Sequence, residues 1–431
     1  MMKAKEELRA ELDNTDRRTR ALLDDLSEEQ LDVPYHRGIN PPLWELGHSA
    51  FFYEYFLLRE LGQAAPRMPG YDEIWDSFEI QHRNRWQKDV IPDHGTTQDY
   101  YQRVLDEVRV RLGAESLDLR EHYLCHYCIA HQNMHIESLL WARQTLGYPA
   151  PSSLRNGESP PSTPGNTGDA EIEGGLYPIG MPAGSPELAT SNFSFDNERP
   201  GFEIRLEPFA ISRTLVSNRD FLSFVEDDGY QRPELWSYGG KWWLQEEGPS
   251  FPLYWREEDD QWQVRRFDQW VELPLDAPAL HLSYWEAEAW CIWANRRLPT
   301  EYEWEAAARG TNGRLFPWGD SMEPGRADLD AGPMATAPVD ALPEGASECG
   351  CLQMVGTAWE WTSNQYLPYA GFEVDMYPYM STLQFGDHKT TRGGSCATSS
   401  CLIRNTYRQA YLPARRDVFT GFRTCARSSP R

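Results

Sequence analysis

Hydrophobic positions fall into two textures along this chain. Up to about residue 148 they recur at helical spacing; from about 171 they come in short aromatic and β-branched runs broken by Gly, Pro and Asn. In the first texture, Leu8, Leu12, Leu22, Leu23 and Leu26 mark one helical stripe. "NPPLWELGHSAFFYEYFLLREL" opens with prolines suited to a helix start and then runs apolar over a broad face. "TTQDYYQRVLDEVRVRLG" is amphipathic and ends at Gly113, and "LREHYLCHYCIAHQNMHIESLLWARQTLG" ends at Gly147 just before Pro149, so both glycines read as helix C-caps. Four main helices joined by loops predict an antiparallel bundle over 1–148.

Residues 149–170, "PAPSSLRNGESPPSTPGNTGDA", offer almost nothing to bury and read as a linker. The second texture, 171–431, predicts a mixed domain of irregular strands with a few helices, "SYWEAEAWCIWANRR" being the clearest of them. The fold class is therefore α+β, a helical domain followed by a loop-rich one. No repeat of fixed period is visible.

Composition changes this picture in two ways. The heavy use of 17 Trp, 21 Tyr and 17 Phe with 32 Gly and 31 Pro supports the loop-rich second part. The formal net charge of −25, from 66 acidic and 41 basic residues, argues against nucleic acid and anionic membrane as partners, because phosphate contacts need clustered Lys and Arg. No apolar run approaches the roughly 20 residues that span a bilayer, and the charged opening has no secretory apolar region. Eight cysteines spread through so long a chain fit reduced thiols in a cytoplasmic protein.

Candidate chemistry begins with His131 and His135, four apart and so on one helix face. His48, amid apolar and aromatic neighbours, is expected to face inward from another helix, and the three together make a metal site of neutral imidazoles with open positions. His122 and His126 are also four apart, but about five residues from His131 they rotate away and are expected on a partly exposed face. His82 sits in a loop. Spacing does not name the metal: three histidines serve zinc hydrolases as well as iron enzymes.

"RLPTEYEWEAAARG", "FPWGD", "MVGTAWEWTSN", "TRGGS" and "GFRTCA" occur in that order. Together they resemble the formylglycine-generating-enzyme-like (C-type-lectin-like) domain, and their Trp, Gly and Arg read as turns, aromatic packing and buried Arg pairs. A helical bundle with an H…HxxxH set joined to this domain is similar to the nonheme iron sulfoxide and selenoxide synthases of ergothioneine, ovothiol and selenoneine biosynthesis, whose bundle is DinB-like. The resemblance implies Fe(II) on His48, His131 and His135. It implies C–S or C–Se bond formation at imidazole C2 of Nα-trimethylhistidine (hercynine), with O2 and a thiol or selenol donor as co-substrates.

It further implies donor binding by Arg415, Arg416 and Asp417 in "LPARRDVFTGFR", and a proton-donating tyrosine, for which Tyr379 is favoured over Tyr377. Arg83 and Arg85 in "HRNRW" are candidates for holding a carboxylate, since guanidinium forms paired hydrogen bonds. Two features depart from ergothioneine-type members: Met134 replaces a glutamine just before the second ligand of the pair, and "WDSFEIQHRNRW" differs from their loop. The donor stays open between γ-glutamylcysteine, cysteine and a selenosugar. Three rivals compete: a copper formylglycine-generating oxidase using Cys396 and Cys401, a zinc DinB-type thiol transferase, and a scaffold with a degenerate site.

Overall fold

The computed structural model describes residues 4–59, 64–87, 89–113, 117–152, 159–163, 167–182, 193–332 and 337–427; the side chain of Tyr379 also lies outside the described set. Of the predicted linker, 153–158 and 164–166 lie outside it. The chain divides into two compact units, Met1–Ser153 with Gly184–Phe193, and Leu154–Ala183 with Ser194–Arg431.

The first unit is built on α1 (Lys5–Ala21), α2 (Pro42–Tyr53), α3 (His94–Leu112) and α4 (Leu119–Leu146). Helix α1 stops earlier than its leucine stripe suggests: Leu22 is its C-cap, and Leu22 and Leu23 are buried from the turn that follows. Pro42 occupies the first turn of α2, where its missing N–H costs nothing, and the helix runs on as a π-helical turn, Glu54–Arg59. Asp93 caps α3 by accepting from the Thr96 N–H at 2.8 Å, and Asp118 caps α4 in a capping box with Glu121. At the far ends the two predicted glycine caps differ. Gly147 adopts φ +67°, and Tyr148 N donates to Arg143 O at 3.0 Å, closing a Schellman turn. Gly113 follows α3 but stays right-handed, with φ −81°. Helix α2 packs on α3 and α4, and α1 on α4 and α3. Leu8, Leu12, Val104, Leu105 and Leu140 are fully buried between them, each such side chain stabilising by about 1.5–3 kcal/mol.

The second unit has little regular structure. One sheet runs β1 (Asp169–Ile172), β4 (Phe209–Ser212), β13 (Cys425–Ala426), β8 (Arg296–Arg297); another runs β11 (Arg408–Tyr411), β10 (Lys389–Arg392), β9 (Trp359–Gln365), β12 (Thr420–Gly421). A hairpin pairs β2 (Gly175–Ile179) with β3 (Phe202–Leu206), and a meander joins β5 (Trp255–Glu258), β6 (Gln261–Arg266) and β7 (Gln269–Glu272).

What substitutes for long elements is a set of buried ion pairs. Arg392 meets Glu305 at 2.5 Å, Arg408 meets Glu301 at 2.9 Å, Arg423 meets Glu360 at 2.7 Å, and Arg404 pairs with Glu198. Three of these pairs tie sequence motifs to each other or to strands: Glu301 and Glu305 come from "RLPTEYEWEAAARG", Glu360 from "AWEW", Arg392 from "TRGGS" and Arg423 from "GFRTCA". Trp304, fully buried, sits in the core beside Ile211, Met354 and Cys425, with the Arg392 guanidinium 5.3 Å above its ring. The motifs are the framework of this unit.

Candidate metal centre

Helix α2 carries His48 and α4 carries His131 and His135. One ring nitrogen from each lies within 4.8 Å of the other two, and among the described residues this is the cluster suited to a metal ion. The Nε2 atoms of His131 and His135 are 3.2 Å apart. Each ring is fixed from behind. His48 is held by its Nδ1 at 2.6 Å from the Trp75 carbonyl and lies parallel to Trp44, centroids 4.6 Å apart. Gly47 permits this: a Cβ there would fall 2.3 Å from the Trp75 ring, the residue whose carbonyl His48 needs. His131 stacks on Phe52 at 3.7 Å. His135 places Nδ1 against a carboxylate oxygen of Glu45.

Burial holds His48 down to about 3 and His131 well below the usual histidine range, with neighbouring imidazoles adding to the effect. Both are therefore neutral near pH 7, the state a metal requires. For Glu45, burial alone would raise the pKa, but His135, Ser138 and Asn40 together bring it to about 2.

Glu45 escaped the sequence reading. Its signal was a lone acid in the apolar run "PLWELGHSAFF", three residues before His48 and so on the same face. The rival pair differs from expectation in one respect: His122 is buried, only 8% exposed, rather than partly exposed, while His126 stacks on Phe193 at 4.3 Å. Neither joins the cluster. His82 lies in the 3-10 turn His82–Trp86, with Nε2 at 3.0 Å from the Ile39 carbonyl.

In the same unit Arg85 is buried: Nη1 donates to Asn40 Oδ1 at 2.7 Å, Nη2 to Ser77 O at 3.4 Å, and the guanidinium lies 3.9 Å over Trp44. Arg83 is exposed, 5.2 Å above the Tyr35 ring. In the second unit Arg415 forms two hydrogen bonds to Asp417, at 3.0 and 2.9 Å. Arg416 lies 3.6 Å from Glu286 and 5.3 Å over Trp243. Tyr377 is buried, and Tyr379 stands in the turn Pro378–Met380. His281 was also missed. It is buried at φ +59° between Tyr254 and Phe419, and burial lowers it to about 4 against the pull of Asp417.

The chain matches the sulfatase-modifying factor enzyme 1-like domain over residues 166–428 and the DinB superfamily over 11–139. The hercynine oxygenase of Mycolicibacterium smegmatis is 33% identical, the match covering 98% of this chain and 99% of that protein. The hercynine oxygenase of Mycobacterium tuberculosis is 33% identical over the same shares. The formylglycine-generating enzyme of Bos taurus is 30% identical over 64% of this chain and 80% of that protein. A DinB-type bundle carrying three converging histidines, followed by a sulfatase-modifying-factor-like domain, thus defines a two-domain oxygenase. Within that class the chain belongs to the hercynine oxygenase family.

Proposed function

We propose that this enzyme is an O2-dependent nonheme Fe(II) oxygenase that joins sulfur or selenium to imidazole C2 of Nα-trimethylhistidine, in ergothioneine or selenoneine synthesis. The observation that carries the reading is the His48, His131 and His135 cluster, set in a chain that aligns end to end with hercynine oxygenases. The donor set fits the metal: burial keeps His48 and His131 neutral, and His48 and His135 each spend Nδ1 elsewhere, which leaves Nε2 for coordination. Bound Fe(II) supplies open coordination positions where O2 is activated.

The remaining assignments concern the chain's own side chains. The bundle, 1–148, holds the metal; 149–170 links it to the domain at 171–431. Arg415, Arg416 and Asp417 bind the donor; of the pair Arg83 and Arg85, Arg83 is the one left to hold a carboxylate, since Arg85 is buried on Asn40, Ser77 and Trp44. Arg416 and Arg83, neither of them in a two-point bond to a carboxylate, are the readiest to accept one. Tyr379 delivers a proton during bond formation, with Tyr377 as the alternative. Tyr379→Phe is expected to keep metal and substrate binding but divert turnover toward simple oxidation of the donor. Unchanged product ratios would move the role to Tyr377.

Partners are small molecules. The net charge of −25 disfavours nucleic acid. No helix among the described residues is long and apolar enough to cross a membrane. Eight free thiols support a reducing, cytoplasmic setting.

Two measurements test the proposal. Metal analysis of protein purified without added metal should find iron; zinc, or copper held by Cys396 and Cys401, would point to the rival chemistries. Turnover of the iron-loaded enzyme with trimethylhistidine and O2 should then be compared for cysteine, γ-glutamylcysteine and a selenosugar. The preferred donor decides between ergothioneine and selenoneine synthesis.

A further inference from the structure

His48 and His135 are oriented by acceptors of different kinds. His48 gives its Nδ1 proton to a backbone carbonyl, which fixes the tautomer and no more. His135 faces a carboxylate, which also draws the proton and makes the opposite nitrogen a stronger donor. That carboxylate is only 1% exposed, and its hydrogen-bond partners are a hydroxyl, an amide and an imidazole: Ser138 Oγ donates to Oε1 at 2.7 Å, Asn40 Nδ2 donates to Oε1 at 2.9 Å, and His135 engages Oε2.

The chain continues. Asn40 Oδ1 accepts from Arg85 Nη1 at 2.7 Å. A carboxylate only accepts and a guanidinium only donates, so one orientation of the Asn40 amide alone satisfies both ends. Arg85 also lies over Trp44, which in turn is parallel to His48 at 10°. One buried guanidinium therefore braces two of the three histidines, one through hydrogen bonds and the other through stacked rings.

We propose that Glu45 is a positioning residue of the metal centre, acting through His135 as the anionic end of a buried hydrogen-bond chain that starts at Arg85 and passes through Asn40. This rests on the reading of His48, His131 and His135 as metal ligands. A buried carboxylate whose side-chain partners are a hydroxyl, an amide and an imidazole, with no guanidinium or ammonium in hydrogen-bond reach among the described residues, is costly to desolvate. A divalent cation at the three converging nitrogens supplies the missing positive charge, so the carboxylate belongs to the metal-loaded state. On this view Arg85 supports the site from within the bundle, and the exposed Arg83 is the guanidinium of that segment left for substrate.

The test uses the full-length protein, stripped of metal by chelation and titrated with Co(II), whose visible absorption reports the ligand field. Wild type should take up one Co(II) per chain, with loss of uptake in His135→Ala. Glu45→Gln keeps the side-chain shape but removes the charge. It should weaken Co(II) binding by about 10–100-fold and shift the visible bands, as loss of such an outer partner does. Asn40→Ala should weaken binding in the same direction by less. Thermal unfolding of the metal-free variants should stay near wild type, which separates positioning from a merely structural role. Wild-type affinity and an unchanged spectrum in Glu45→Gln would overturn the proposal. If that variant does not fold, Ser138→Ala and Asn40→Ala carry the test, and unchanged affinity and spectrum in both would overturn it. Co(II) uptake that survives His135→Ala overturns the metal-site reading and this proposal with it, whereas loss of uptake in His135→Ala beside wild-type affinity and spectrum in Glu45→Gln overturns this proposal alone.

Discussion

The two units of the molecule bury charged side chains in different company. In the irregular unit four buried glutamates are closed by arginines: Glu360 with Arg423, Glu305 with Arg392, Glu301 with Arg408 and Glu198 with Arg404. Within the bundle Glu54 is closed in the same way, by Arg59 at 2.8 Å and Tyr100 at 2.6 Å. Glu45 differs. It faces a histidine, an amide and a hydroxyl, and behind that histidine two more imidazoles converge. A closed pair holds a fold together; a carboxylate balanced only through a histidine cluster marks a place where charge is still to arrive. The contrast separates framework from site more clearly than motif content does, since the motif-rich unit spends its motifs on framework.

The comparison breaks first, and most severely, if the histidines are framework too. His131→Ala and His135→Ala are expected to abolish metal binding while circular dichroism and unfolding temperature stay close to wild type. Near-normal metal content in both variants would place the site elsewhere.

The converse substitution is Arg423→Ala. It leaves Glu360 buried without its charge partner and should destabilise the second unit by about 3–5 kcal/mol, read by urea unfolding. Metal stoichiometry at the bundle should persist under folding conditions. Loss of metal without loss of stability would reverse the roles assigned to the two units.

Acid sharpens the contrast further. His48 has a folded pKa of about 3, below the ordinary value of 6.5, so between these limits the unfolded chain binds the extra proton. Stability is complete above about pH 6.5 and is lost as pH falls toward 3. For metal-free protein at pH 5 the loss from His48 is about 2 kcal/mol, and His131 adds to it in the same direction. In the second unit His281, lowered to about 4, acts with the same sign. Glu198 loses its contribution only below the ordinary carboxylate range, because Arg404 holds it down. Urea midpoints of the metal-free protein at pH 7 and pH 5 should therefore fall, the bundle transition by more than the other. A bundle midpoint that rises at pH 5 would contradict neutral, buried ligands.

The smallest effect concerns substrate. Arg416→Ala should raise the apparent KM for γ-glutamylcysteine by roughly tenfold, the loss of one charged hydrogen bond. A selenosugar donor, which has no carboxylate, should not respond.

How much of this could be read from the sequence follows from how local each signal is. The helices of the bundle, the Gly147 cap of α4 and the i,i+4 spacing of His131 and His135 depend on near neighbours and were legible. So were the five motifs, and the buried Arg pairs they suggested are present. The early stop of α1 was not legible, because Leu22 and Leu23 continue the stripe from a turn. Gly113 looked like Gly147 but needed no left-handed backbone. Glu45 meets His135 across 90 residues and His48 meets the Trp75 carbonyl across 27; contacts of that kind are set by packing, and no periodicity announces them. A single acid inside an apolar helical run is the one trace Glu45 leaves in the sequence.

The central claim is that the histidine cluster of the bundle makes this chain an iron-dependent C–S or C–Se bond-forming oxygenase. The direct measurement loads metal-free protein with Fe(II) without air, adds trimethylhistidine and the preferred donor, admits O2, and follows oxygen uptake together with product by mass spectrometry. The account predicts O2-dependent formation of the C2-chalcogen adduct of trimethylhistidine by iron-loaded wild type, and none by His135→Ala or by protein loaded with zinc. Equal product from the His135→Ala variant, or from zinc-loaded enzyme, would contradict it.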